Sequence, residues 1–432
     1  GIDWRVYQEW DNFTDNNLEY FRYTKRISEE VFSNHNDFGE NYYSALATAA
    51  EKNDHPTVQK LTTELTQKLD QLTPTDRRIF DRALYRSKPH TITQRVEHDI
   101  AAGTLSPISW IVPSSTESEH PSASSPRASA NLIYRLLDAL GKHPDVWKHT
   151  ALFITFDEND GYFDHVPPPR PPHNEEDEWY QGKALGFGNR VPMIVVSPWS
   201  VGGYRCSEVF DHTSASQFLE AWKGISVPTV SRWRRTISGD LTSAFDFSHP
   251  QPFTPASQPQ PTTELEPRWH PQPPTKGVMP QQESGQRRQR PLPYRLSAAT
   301  TEQPSDKTIQ LHLSNAGPAT ANFLVFCFHG AKDPVRMAGP VENESGRGLS
   351  SVANEAIDDR LEGPSGDNHR EGADGDELGT PGKDVVACDV RGTVTLEIPT
   401  AKDGHYAIVV KGPAEFHYEA NGTVHSSGIA HS

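Results

Sequence analysis

The sequence predicts an α/β domain followed by a small all-β domain, and three observations lead there. Unbroken apolar and β-branched runs at 108–112, 151–156 and 191–196 read as strands buried on both faces, the pattern of a parallel sheet flanked by helices. Helical periodicity fills the chain before and between them. A Pro- and Gln-rich stretch over 249–288 then gives way to a tail of alternating strands. The expected partition is an α/β domain over 1–248, a linker over 249–288 and a β-sandwich over 289–424.

Taken in order, residues 2–6 alternate like a short strand. Tyr7-Gln8-Glu9-Trp10-Asp11-Asn12-Phe13 follows, a mixture that suits a loop lining a pocket or a surface loop anchored by Trp10. Val58, Leu61, Leu65, Leu69 and Leu72 recur at helical spacing, and Thr73 caps a second helix carrying Ile79, Phe80 and Leu84. This pair reads as an insertion or lid on the sheet. The run 108–112 ends at Pro113 in a Ser-rich loop holding Glu117, Glu119 and His120. Residues 128–141 form an amphipathic helix stopped by Gly141. The run 151–156 comes next, so strand, helix and strand make a βαβ unit. After 191–196 come the glycines Gly202 and Gly203 and then Asp211-His212-Thr213-Ser214. There Thr213 or Ser214 can cap a helix through Phe218, Leu219 and Trp222.

In the tail, residues 308–313, 321–328, 393–398 and 404–410 read as strands of a small sandwich. Between them, 340–388 is rich in Gly, Asp and Glu and poor in aromatics, the composition of an acidic disordered insertion. Its acids lack the spacing and central glycine of a calcium-binding helix-loop-helix.

Composition narrows the function classes. The 432 residues carry a formal net charge of -16, which disfavours nucleic acid or an anionic membrane surface as a partner held by bulk electrostatics. No apolar run approaches the roughly 18 residues of a membrane span. Three cysteines, Cys206, Cys327 and Cys388, form neither a disulfide framework nor a zinc-site spacing.

The chemistry gathers where the core strands end. Ligands in open α/β sheets bind outside the carboxyl ends of the strands. There the three runs deliver His120, then Asp157 with Glu158, then His212. The adjacent carboxylates are placed to hold a cation. His212, at a helix start, sits near a positive dipole end that favours the neutral imidazole, the form that binds metal or accepts a proton. Taken singly, each residue also fits a solvated turn or a packed helix start. Their convergence favours a site over those readings.

The stretch Asp157-Glu158-Asn159-Asp160-Gly161-Tyr162-Phe163-Asp164-His165-Val166-Pro167-Pro168-Pro169 strongly resembles the signature of bacterial phosphocholine-preferring phospholipases C and related acid phosphatases, phosphoesterases of the alkaline phosphatase superfamily. Further similar stretches run from Trp4-Arg5-Val6-Tyr7-Gln8-Glu9-Trp10-Asp11-Asn12 through Ser118-Glu119-His120-Pro121, Ser197-Pro198-Trp199 and Asp211-His212-Thr213-Ser214 to Gly239-Asp240-Leu241. Leu292-Pro293-Tyr294-Arg295-Leu296 looks like the start of the β domain that follows the catalytic domain in these phospholipases.

The resemblance implies an alkaline-phosphatase-like three-layer sandwich, incomplete at its N-terminus, and metal-assisted cleavage of phosphatidylcholine- or sphingomyelin-like lipids to phosphocholine. Asp157 and Glu158 match the carboxylates that hold the metal, a hard divalent cation such as calcium, magnesium or manganese. His120 and His212 match positions that hydrogen-bond the phosphate or protonate the leaving oxygen. Expected partners are a phosphate-ester substrate and a transient membrane surface, and relatives are exported, so a secreted or periplasmic protein is expected. The family's hydroxyl nucleophile and further metal ligands match nothing here. The chain is therefore expected to be a C-terminal part of such an enzyme, inactive alone. Two other readings are a non-catalytic lipid-binding remnant and a broad phosphomonoesterase.

Overall fold

The computed structural model describes residues 2–11, 15–32, 39–120, 123–159, 164–255, 284–305, 307–328 and 385–425. The chain forms two compact units, 1–151 with 250–284, and 152–249 with 285–432. Asp160 to Phe163 of the signature, most of the linker and the acidic stretch up to 384 lie outside the described residues.

The first unit is helical around a two-stranded parallel ribbon. Strand β1 (Trp4–Tyr7) pairs with a later strand, and between them come α1 (Arg22–Phe32), α2 (Glu40–Glu51), α3 (His55–Leu69), α4 (Pro74–Ile79) and α5 (Ile92–Ala101). Strand β2 (Ile108–Ile111) follows and is that partner, with Trp4 opposite Ile108 and Tyr7 opposite Ile111. Thr73 caps α4 as its position in the sequence predicts, its Oγ1 accepting the Asp76 N–H at 3.1 Å. Ile27, Val31, Leu69, Leu72, Phe80 and Leu84 form the apolar cluster under these helices. Buried Arg86 ties the loops together, pairing with Glu19 at 3.2 Å and Glu40 at 2.5 Å.

The loop after β1 is no surface loop. Gln8 and Glu9 are fully buried, and the Glu9 carboxylate accepts the backbone N–H groups of His90, Thr91 and Ile92 at 2.9, 2.8 and 2.7 Å. One side chain thereby satisfies three donors at the start of α5 that the helix cannot pair internally.

Helices α6 (Pro126–Gly141) and α7 (Pro144–Trp147) close this part of the unit. Gly141 does not stop α6 in a left-handed cap, as the sequence suggested; it is the last helical residue. Its glycine character serves packing instead. The Phe253 ring, which also stacks edge-on against Trp147 at 5.0 Å, occupies the space a Cβ would need.

The second unit begins with β3 (Leu152–Thr155), the short pair β4 (Trp179–Tyr180) and β5 (Lys183–Ala184), and β6 (Met193–Val196). Here the structure corrects the sequence reading. Strands β3 and β6 pair antiparallel, Leu152 opposite Val196 and Thr155 opposite Met193, and β2 is bonded to β1 rather than to β3. The βαβ unit expected from 108–112, the helix over 128–141 and 151–156 is therefore absent among the described residues, and the parallel pair that does form is β1 with β2, across α1 to α5. Nor are these strands buried on both faces: Ile194 is 55 % exposed and Trp110 52 %. A two-stranded ribbon has no flanking strands to complete two covered faces, so apolar side chains remain in solvent.

Helices α8 (Thr213–Lys223) and α9 (Arg232–Ile237) follow. Neither Thr213 nor Ser214 caps α8; His212 occupies the cap position, and the preceding Asp211 accepts the Thr213 N–H at 3.0 Å. The Asp211 carboxylate, just ahead of the helix, takes up this otherwise unpaired donor.

The tail is sheet-rich. Strands β7 (Leu296–Gln303), β8 (Thr308–Asn315), β9 (Ala321–Cys327), β10 (Val385–Val390), β11 (Gly392–Pro399), β12 (His405–Gly412) and β13 (Phe416–Thr423) form two antiparallel sheets, ordered β11-β8-β7 and β10-β9-β12-β13. Ile309, Leu311, Phe323, Val325, Leu396, Ile398 and Ile408 from both sheets share one core. Asn315 is buried among them and satisfied, donating to Ala319 and Val390 carbonyls and accepting from Arg295 and Gly317. Residues 385–388, which the sequence assigned to the acidic insertion, belong to β10. Among the described residues no helix is long and apolar enough to cross a membrane.

Candidate functional site

Strand β3 delivers its two carboxylates to solvent. Beyond Thr155 the ladder fades, with Phe156 N–H reaching the Pro192 carbonyl at 3.4 Å, and the chain turns at Asp157. Asp157 and Glu158 are both exposed, and the Asp157 carboxylate accepts the Glu158 N–H at 3.0 Å.

Aromatic packing sets α8 beside this turn. Phe153 on β3 meets Phe218 on α8 at 5.1 Å and Phe245 at 5.9 Å, both edge-on. That contact fixes the helix along the strand. Its start then falls at the strand's carboxyl end, where the His212 Nε2 lies 3.0 Å from the Asp157 carbonyl oxygen. The imidazole is otherwise exposed. Two of the three strand-end groups that the sequence singles out, Asp157 with Glu158 and His212, are thus brought together. His120 belongs to the first unit. There Glu119 before it takes a left-handed conformation, φ 73°, and the His120 N–H donates to Ser118 at 3.3 Å.

Behind His212 stands a charge network that sequence reasoning missed. Asp211 accepts from Thr213 N–H at 3.0 Å, from the Thr213 hydroxyl at 2.6 Å and from the Ser238 hydroxyl at 2.8 Å. Arg234 on α9 donates to the other Asp211 oxygen at 2.8 Å. It also grips Glu178 in two-pronged fashion at 2.9 Å for each contact, and reaches the Gly186 carbonyl at 2.7 Å. Glu178 is only 2 % exposed. Planar guanidinium is the side chain suited to such a fork. Nothing in the sequence pointed to it: Glu178 sits in an acidic run and Arg234 in a basic one, patterns that read as solvated surface.

The signature's described remainder is also anchored. Arg190 clasps Asp164 at 2.8 and 2.7 Å, and that pairing, against a smaller opposing effect of burial, draws the Asp164 carboxyl down to about 2. Asp164 is therefore committed to an ion pair.

The carboxylates of Asp157 and Glu158, both solvent-facing, are of the kind a hard divalent cation takes. Among the described residues no third His, Cys, Asp or Glu joins them in a metal-binding group.

Comparison of the sequence with known proteins finds a family model and several relatives. Residues 63–226 match the model of the phosphoesterase family. Over 77 % of its length the chain is 37 % identical to the non-hemolytic phospholipase C of Pseudomonas aeruginosa, covering 45 % of that protein. It is 42 % identical over 54 % of its length to the non-hemolytic phospholipase C of Burkholderia pseudomallei, covering 37 % of it. It is 30 % identical over 84 % of its length to the hemolytic phospholipase C of Pseudomonas aeruginosa, covering 50 % of it. The chain thus spans half or less of the length of these relatives.

Proposed function

We propose that this chain, whose residues 63–226 match the phosphoesterase family model, is part of a phospholipase C-type hydrolase. Its substrate on this reading is a choline phospholipid, cleaved between glycerol or ceramide and phosphate. The observation that carries the proposal is the juxtaposition of His212 with the Asp157 turn at 3.0 Å, at the carboxyl end of a strand. Similarity to three phospholipases C supplies the reaction class.

Each residue then has a role. Asp157 and Glu158 would hold a hard divalent cation, which when bound neutralises charge on the phosphoryl oxygens. His212 spends its Nε2–H on the Asp157 carbonyl, so Nδ1 is the nitrogen left for the substrate, and as the imidazolium it donates a hydrogen bond to the phosphoryl group or a proton to the departing oxygen. His120 is assigned the same kind of role. Asp211, capping α8 and locked by Arg234, keeps the imidazole from drifting. The attacking hydroxyl is assigned to no residue of this chain. The β4–β5 hairpin supports contact with a lipid surface: Tyr180 is 64 % exposed there, and Leu185 beyond it is also exposed. A site of action outside the cytoplasm is part of the proposal.

Hydrolysis of p-nitrophenyl phosphorylcholine tests it. The chain alone is expected to be inactive. Fusing the upstream segment of a phospholipase C relative should give chelator-sensitive turnover, abolished by Asp157→Ala with Glu158→Ala. Undiminished turnover in that double variant would overturn the assignment. Faster cleavage of p-nitrophenyl phosphate than of the choline ester would make the enzyme a phosphomonoesterase instead.

A further inference from the structure

A cavity of about 310 Å³ opens along α5 in the first unit, lined by Arg5, Thr91, Gln94, Arg95, His98 and Asp99. Thr91, Arg95 and His98 follow one another at four and three residues, so one helix face supplies most of the lining. The two guanidiniums exceed the single carboxylate by one positive charge.

That carboxylate is already engaged. Asp99 accepts from Arg5 at 2.7 Å and from the Tyr7 hydroxyl at 2.7 Å through one oxygen, and from Thr104 at 3.2 Å through the other. Burial would raise its pKa, but these donors and His98 outweigh burial and hold the carboxyl below its usual range.

Arg95 is left over. Among the described residues it has no ion pair and no side-chain hydrogen bond, and its Nη1 is buried without a partner. The Arg5 Nε is likewise buried and unpaired. The rings of Tyr7 and Tyr85 lie 5.5 and 5.0 Å from the Arg95 guanidinium. Aromatic faces hold that group in place without using its N–H donors. A buried charged donor without an acceptor is costly, and its cost is recovered when an anion arrives.

We propose that this cavity binds an oxyanion of the phosphate class, as free inorganic phosphate or as a small phosphate monoester, with Arg95 as the principal contact and Arg5 and His98 beside it. A tetrahedral anion is small enough for the volume and matches the spread of guanidinium donors. The site belongs to the first unit, whereas Asp157, Glu158 and His212 belong to the second. It does not depend on the phospholipase reading.

Isothermal titration of the whole chain with inorganic phosphate tests the proposal, with phenyl phosphate in a parallel arm. Saturable binding is expected, weakened about tenfold or more by Arg95→Met. Gln94→Glu, at an exposed rim position, should weaken it several-fold while melting like the parent. Asp157→Ala with Glu158→Ala should leave it intact. Binding of phenyl phosphate as well would show that an esterified phosphate enters; binding of phosphate alone would show a free-anion site. Either upholds the proposal. No saturable binding of phosphate, binding that both cavity variants leave unchanged, or binding lost only in the Asp157 and Glu158 variant would overturn it.

Discussion

The Arg234 guanidinium donates to Asp211 at 2.8 Å, and Asp211 in turn accepts the Thr213 N–H that opens α8. A surface-like basic run on α9 therefore governs where His212 stands. Arg234 also neutralises Glu178, which is nearly sealed from solvent. Replacing Arg234 by Met strands two carboxylates. Breaking such a pair from one side costs about 3 kcal/mol, and urea unfolding should show a loss of that order. Hydrogen exchange at Thr213 and Ser214 should speed up as the start of α8 loosens. A variant that unfolds at the parent's midpoint would mean that the network holds nothing.

Glu9 presents a parallel case in the first unit. Its carboxylate collects three backbone N–H groups at the start of α5, inside the protein. Glu9→Ala leaves those donors unpaired, and the expected loss is about 2 kcal/mol. Glu9→Gln should fall between, because an amide offers a carbonyl to some of the donors and an N–H that opposes the rest. Equal stability of all three proteins in denaturant would contradict the capping role.

Gly141 and Phe253 are packed so closely that a methyl group does not fit between them. Gly141→Ala should cost about 1–3 kcal/mol by overpacking, despite alanine's better helix propensity. Phe253→Leu frees space at the cost of the Trp147 contact. In the double variant the two losses should sum to less than their separate values, and thermal melts of the four proteins measure the difference. Strict additivity would show that the ring and the glycine do not meet.

These residues mark what the sequence made legible. The strand-end positions of Asp157 and Glu158 could be read because an apolar run announces the strand and the acids follow at once, whereas His212 stands well after Val196 and reaches the end of β3, not of β6, through the packing of α8. Strands β8, β9, β11 and β12 were legible for the same reason, each carrying alternating or continuous apolar residues. Strands β7 and β13 were not: Ser297, Thr301, Glu302, Glu419 and Asn421 give them a loop-like composition, and only pairing with β8 and β12 makes them strands. The orientation of β3 was illegible as well, since an apolar run reports burial and carries no information on the direction of its partner. Arg234 and Glu178 stand 56 residues apart in sequence, and nothing local records that they meet.

Asp389 yields a prediction with a definite sign. Its carboxylate lies inside the second unit, accepting from Asn322 at 2.6 Å and from the Trp233 indole at 3.0 Å, while Asn322 also clasps both backbone groups of Arg170. Burial pushes its carboxyl up to about 6, and the two hydrogen bonds only partly oppose that. The folded protein therefore holds a proton there at pH values where the unfolded chain, with its ordinary carboxyl near 3.8, has released it. Folded protein binding the extra proton means stability falls as pH rises between those values. The ionised carboxylate is a penalty above pH 6 and is relieved progressively towards pH 4, by about 3 kcal/mol at most. Other acids lose stabilising contacts over the same range, so the effect is isolated by subtracting Asp389→Asn from the parent in denaturant titrations at pH 4, 5, 6 and 7. The parent should gain on the variant as pH falls. A difference that stays flat across the series would place the Asp389 carboxylate in water.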